Sequence, residues 1–193
     1  MFKTFEAYLR SKIPVTDEQL RQIEPFYKPR SISKGQIILY INEVSEHACF
    51  VVNGCLRSYV IDEKGKEHII QFAPENWWIS EQVSLIDREP SMYFIDAVED
   101  TAYLAIDRAF FAQLHNVVPA AREMMNMLQL YSLRSFQKRL ISHLSASGEE
   151  RYLAFLKTHP SLALRLPQKM IASYLGVTPE SLSRIRKELA SHG

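Results

Sequence analysis

LPQKMIASYLGVTPESLSRIRKEL, residues 166–189, is the stretch that decides how the rest of the chain is read. Counted from Gln168, Ala172 is the fifth position, Gly176 the ninth, Leu182 the fifteenth and Ile185 the eighteenth. This is the spacing of a helix-turn-helix, and it has a mechanical reason. Two helices joined by a turn of about three or four residues cross steeply, so a small side chain is needed where they pass closest. Ala172 meets that need. Gly176 accepts a positive φ without strain, and Leu182 and Ile185, lying three apart, face the first helix together. Thr178 is placed to cap the second helix, and Pro179 fits its first position, where a missing N–H costs nothing.

The outer face of that second helix keeps Glu180, Ser181, Ser183, Arg184 and Lys187, with Arg186 at its flank. With Lys169 and Thr178 these form the candidate DNA-contacting set. Arginine grips guanine bidentately in the major groove and a carboxylate accepts from the amino group of cytosine, each good pair discriminating by about 1–3 kcal/mol. The same spacing also fits an ordinary amphipathic helical hairpin with a solvated outer face, so the rest of the chain has to decide.

A chain of 193 residues, 47% hydrophobic and 23% charged, is globular, with room for one large or two modest domains. The net charge of +1 does not announce a nucleic-acid binder. Its distribution is more telling: from Arg165 onward Arg165, Lys169, Arg184, Arg186 and Lys187 face only Glu180 and Glu188, a local balance of +3, so the positive charge sits where the motif sits. Cys49 and Cys55 cannot build a zinc or iron–sulfur site alone, so no metal is expected. Residues 1–10 lack a long apolar run, and nothing approaches the roughly 18 apolar residues of a membrane span. A reduced, cytoplasmic protein without a membrane partner is expected.

The first thirty residues read as helical, with Thr16 and Gln19 forming a capping box and Pro25 ending the helix. From Ser31 to about Ile106 the period falls to two, in runs such as residues 36–40, 49–52, 56–61 and 68–72. Asn53-Gly54 is a strong hairpin signal and Lys64-Gly65-Lys66 marks another turn. Short strands at this spacing predict an antiparallel roll that encloses a pocket. Helical period returns after Asp107. A long helix is expected from about Pro119 to Leu144, with Ala121, Met125, Leu128, Ser132 and Ser135 on one seam and an apolar face wide enough for both the roll and a second copy of the chain. Ser147 and Glu150 start a fresh helix, Pro160 stops it, and residues 162–166 are expected to be a short extended piece. The expected fold class is therefore α+β. The expected domains are 1–117 (N-terminal helices and β-roll), 118–145 (dimerisation helix) and 146–193 (helix-turn-helix).

In this order, β-roll, long helix and terminal helix-turn-helix, the chain resembles the Crp/Fnr family of bacterial transcription regulators. The resemblance runs from the Lys34-Gly35 and Asn53-Gly54 turns to RYLAFLKTHP and IASYLGVTPESLSRIRKEL. It implies a homodimer joined along the long helix, with two recognition helices in major grooves about one helical turn apart. It also implies double-stranded DNA and RNA polymerase as partners. The family's glutamate and, four positions on, arginine fall on Glu180 and Arg184, while Pro179 stands where many members have a basic residue. The sequence ends at Gly193, where many relatives continue into a β-hairpin wing, so a full wing is not expected. Relatives that bind cyclic AMP carry a Gly-Glu pair and, further on, an Arg-Ser pair. Here Ser80-Glu81 and Pro90-Ser91 stand in those places, with Arg88 nearby. A phosphate buried without its counter-charge is strongly penalised, so cyclic nucleotide binding is expected to be weak or absent, and a small-molecule effector is left open. Neither haem nor an iron–sulfur cluster is expected.

Two other classes make different demands on the sequence. A ligand-binding regulatory module acting on a protein partner would need no DNA. A cupin-type enzyme would need a His-x-His pair and a nearby carboxylate, and no His-x-His occurs. A catalytic activity is therefore not expected.

Overall fold

The computed structural model describes residues 1–191, in two compact units. The wing expected to be lacking after the recognition helix concerns the end of the chain, outside the described residues. One unit comprises residues 1–60 and 71–129, the other residues 61–70 and the chain from Leu130 onward.

The first unit opens with α1 (Phe2–Lys12) and α2 (Asp17–Ile23). The expected capping box is present: Gln19 N donates to Thr16 Oγ1 at 3.2 Å and Thr16 N to Gln19 Oε1 at 2.9 Å. The strands β1 (Tyr27–Ile32), β2 (Ile37–Leu39), β3 (His47–Asn53), β4 (Leu56–Ile61), β5 (Glu67–Ala73), β6 (Trp78–Ile79), β7 (Phe94–Ala97) and β8 (Thr101–Asp107) follow. They form two four-stranded sheets, in the orders β1-β8-β3-β6 and β2-β7-β4-β5. Leu39, Val51, Leu56, Ile79, Ile95 and Tyr103 fill the space between them. Phe5, Leu9, Tyr27, Phe50, Ile106, Phe110 and Leu114 make a second core under the helices.

The structure corrects three sequence expectations. Asn53-Gly54 is not a hairpin, because β3 and β4 belong to different sheets. It is the corner where the chain changes sheet. Gly54 has φ +96, and a Cβ there would stand 2.5 Å from Thr101 Oγ1 and 2.7 Å from the Asp100 carbonyl, so no other residue fits. A helix, α3 (Gln82–Asp87), interrupts the β region, started by the Glu81 side chain and closed by Arg88 at φ 64. Residues 162–165, expected to be extended, form the short helix α7 (Leu162–Arg165), in which Leu166 N donates to the Leu162 carbonyl at 2.9 Å.

After α4 (Arg108–Val117), α5 runs from Ala121 to Ser145. In the second unit α6 (Gly148–Thr158) begins with the expected Ser147–Glu150 capping box, at 3.2 and 2.7 Å. Then come α8 (Gln168–Leu175) and α9 (Pro179–Ser191). No described helix is long and apolar enough to cross a membrane.

Candidate nucleic-acid interface

Helices α8 and α9 cross over a small apolar core of Ile171, Ala172, Leu175 and Leu182, all buried. Gly176 caps α8 in the left-handed region at φ 66, and the amides of Gly176 and Val177 reach back to the carbonyls of Ser173 and Ala172 at 3.2 and 3.0 Å. Thr178 Oγ1 accepts from Ser181 N at 3.1 Å, capping α9 as its position in the sequence requires. Gln168 Nε2 donates to the Pro179 carbonyl at 2.9 Å, tying the two helix starts together.

With Leu182 turned inward, α9 presents Thr178, Glu180, Ser183, Arg184, Arg186 and Lys187 exposed, with Ser181 half-buried beside them. Lys169 is exposed at the start of α8. The Glu180 carboxyl is held below the usual carboxylate range by its own main-chain N–H and by the Thr178 hydroxyl, so it is ionised at neutral pH. Arg184 also borders a groove of about 360 Å³ lined by Gly148, Val177, Ser181, Ile185 and Glu188. A Cβ at Gly148 would stand 3.1 Å from Ile185 Cδ1, so the start of α6 lies close against α9. Sequence reasoning misses Arg139 and His143, which touch α8 and its turn at Tyr174 and Gly176, and Ser173 of α8 itself, whose hydroxyl bonds the main chain of Glu67 and Ile69.

In the roll, Ser80, Glu81 and Ser91 are brought around one side chain, Tyr93. Its hydroxyl donates to the Ser80 carbonyl at 2.9 Å, and Ser91 Oγ donates to its main-chain carbonyl at 2.7 Å. Burial, with the Glu81 charge in second place, pushes the Tyr93 hydroxyl pKa upward, so it stays a donor. Glu81 is itself 4% exposed, its carboxylate accepting from Ser84 N. Arg88 donates instead to the Ser45 carbonyl at 3.4 Å. A buried pair that the sequence did not announce lies in the β4–β7 ladder: Arg57 and Asp96 are register partners joined twice, at 2.7 and 2.9 Å. Burial pushes the Cys49 thiol up to about 12, leaving it a packing group rather than a reactive one.

On α5, Ala121 is fully buried and Met125 and Leu128 pack against the chain's own core, whereas Ser132 and Ser135 are exposed. Leu130, Leu133, Leu140 and Leu144 are 55–80% exposed. At 100° per residue they fall on the opposite side of the helix from the seam Ala121–Met125–Leu128–Ser132–Ser135.

Models of two domain families match the chain: the cyclic nucleotide-binding domain over residues 29–117 and the Crp-like helix-turn-helix domain over residues 138–193. The chain belongs to the Crp/Fnr family of transcription regulators. Among relatives of this Crp/Fnr chain, the fumarate and nitrate reduction regulatory protein of Vibrio cholerae is 26% identical over 182 residues, covering 87% of this chain and 70% of that one. The anaerobic regulatory protein of Pasteurella multocida is 22% identical over 195 residues, 94% of this chain and 71% of that one. Solved structures share the fold, among them the following two. FixK2 from Bradyrhizobium japonicum has a TM-score of 0.75 at 23% identity, covering 86% of each chain. The catabolite activator protein of Thermus thermophilus has a TM-score of 0.55 at 22% identity, covering 93% of this chain and 85% of that one. The chain is thus a DNA-binding transcription regulator of the Crp/Fnr type.

Proposed function

We propose that this regulator acts as a homodimer that reads a palindromic DNA site with its two copies of α9. The observation that carries this reading is the exposed row on α9, in which Glu180 and Arg184 lie one turn apart above a buried Leu182. In it Glu180 and Arg184 address base edges. Lys169, Thr178, Ser181, Ser183, Arg186 and Lys187 hold phosphates and fix the register.

The dimer contact runs along α5. Leu130, Leu133, Leu140 and Leu144 take a and d positions of one heptad pattern, and Gln137 fills the remaining a position between them. A polar residue at one a position sets register and oligomer state at some cost in stability. Eight large apolar side chains of α5, from Met127 to Leu144, are at least 41% exposed in the single chain, which supports a covering partner. Ala121, Met125 and Leu128 then serve the chain's own core. Residues 1–117 form the effector-type domain, 118–145 the dimer helix and 146–193 the DNA-binding domain.

The roll, in this reading, does not take cyclic AMP. The arginine that would neutralise the phosphate is Pro90, Arg88 is turned to Ser45, and Tyr93 ties Ser80 and Ser91 together where a ligand would need them free. The test is selection of binding sites from random-sequence duplex DNA, followed by titration of the selected site across salt concentrations with and without cyclic AMP. A palindrome, a steep salt dependence and no response to cyclic AMP are expected. Salt-independent or absent binding refutes the DNA reading, and a cyclic AMP response refutes the reading of the pocket.

A further inference from the structure

Within the second unit, α8 is gripped by groups outside the helix-turn-helix. The Ser173 hydroxyl donates to the Glu67 carbonyl at 2.7 Å and accepts from Ile69 N at 3.1 Å. It thus bonds the main chain of the hairpin tip 61–70 in both directions, as a neighbouring strand would. Arg139, on α5, donates to the Ile70 carbonyl and lays its guanidinium 4.9 Å over the Tyr174 ring. One turn further along α5, the His143 ring fills the space left by Gly176, where a Cβ would stand 2.9 Å away, and is bonded to the Tyr174 main chain.

The tip has its own stiffening. Asp62 Oδ1 accepts from the amides of Lys64 and Lys66 at 2.9 and 3.0 Å, and its other oxygen pairs with His68 Nε2 at 2.8 Å. None of these contacts is needed to close the helix-turn-helix, whose core of Ile171, Ala172, Leu175 and Leu182 is already buried. What they add is orientation. Three groups engage the short segment from Ser173 to Gly176, two of them from the end of α5. None of them covers the exposed row on α9.

We propose that Ser173 and Arg139 are positioning residues for DNA binding, which lock α8 to the hairpin tip and to the end of α5. This rests on the homodimeric DNA reading above. In a dimer joined along α5, the pose of α8 on α5 sets the separation and angle of the two recognition helices, and so selects half-site spacing. A serine suits the place because a hydroxyl both donates and accepts. Threonine keeps that capacity and alanine lacks it. Because the partners of Ser173 and Arg139 at the tip are main-chain groups, the lock depends on the shape of the tip, which the Asp62 side chain stiffens.

The test uses the full-length protein and two readouts, amide hydrogen exchange at Ile69 without DNA, and affinity for the selected palindrome with its half-sites moved apart or together by single base pairs. Ser173→Ala is expected to speed exchange at Ile69 about fivefold or more, the loss of one hydrogen bond. It is also expected to flatten the spacing preference several-fold, while the dimer and the preference within each half-site are kept. Arg139→Met, which keeps the apolar stem, should flatten spacing likewise, and Ser173→Thr should restore both readouts. Unchanged exchange at Ile69, or faster exchange with an intact spacing preference, overturns the positioning role alone. Wild-type protein that binds no palindrome overturns the DNA reading and the positioning role with it.

Discussion

Gly176→Ala tests the geometry of the turn that organises the DNA-binding hairpin. At φ +66 an alanine sits in the left-handed region, at a cost of about 1–2 kcal/mol. Alanine also restricts the unfolded chain, which returns about 0.4–1 kcal/mol. The new Cβ would stand 2.9 Å from two atoms of the His143 ring, so the ring must move. Moving it breaks its bond to the Tyr174 main chain and forces a poorer rotamer, together about 1–2 kcal/mol. The sum is a destabilisation of roughly 2 kcal/mol. In a His143→Ala background the steric part disappears, and the same substitution should cost only about 1 kcal/mol. Urea unfolding followed by far-ultraviolet circular dichroism measures both, with amide exchange at Leu182, bonded to the Thr178 carbonyl at 3.0 Å, as the local readout. Equal costs in the two backgrounds, or a wild-type cost below about 0.5 kcal/mol, would refute the reasoning.

Other expected outcomes follow from the same geometry. Leu133→Lys with Leu140→Lys should convert the proposed dimer to monomer in sedimentation equilibrium and abolish tight palindrome binding, while far-ultraviolet dichroism stays unchanged. Asp96→Asn removes the carboxylate joined twice to the 6%-exposed Arg57 guanidinium and should cost about 3–5 kcal/mol in urea unfolding, more than Arg57→Met with Asp96→Leu. Burial holds the pKa values of His47, His143 and His159 below the ordinary histidine value, with Arg151 and Arg139 adding to the effect at His143. The unfolded chain therefore takes up these protons at higher pH than the folded one. Their stabilising contribution is complete above about pH 6.5 and is lost as pH falls through the lowered folded values, so melting temperature should drop on acidification below that point.

The parts of the molecule legible in the sequence are those whose cause is local. Ala172, Gly176, Thr178 and Leu182 announce the helix-turn-helix because each has its reason within a few residues, and the Thr16–Gln19 and Ser147–Glu150 capping boxes are equally self-contained. Contacts between distant residues were not legible. Asn53-Gly54 carries a hairpin signature, yet whether the next strand joins the same sheet depends on β7 and β8, some forty residues later. Arg57 and Asp96 give no sign of each other from opposite ends of that interval. Glutamate is an uncommon helix cap, so the start of α3 at Glu81 was hidden in a region of β period. On α5 the apolar width was visible, but periodicity does not say which side meets the chain's own core. It puts the seam on the side of Ala121, Met125 and Leu128, which packs into the chain's own core, and the exposed leucines opposite are what support the dimer contact proposed above. Ser173 and Arg139 bond main-chain groups, which leave no trace in residue identity.

The claim that α9 reads DNA sequence is tested most directly by comparing wild-type protein and Arg184→Ala on the selected palindrome and on variants of it changed one base pair at a time. Loss of affinity by about 1–3 kcal/mol per half-site is expected, with discrimination relaxed at one position of each half-site and kept at the others. Equal affinity and an unchanged preference at every position would contradict it.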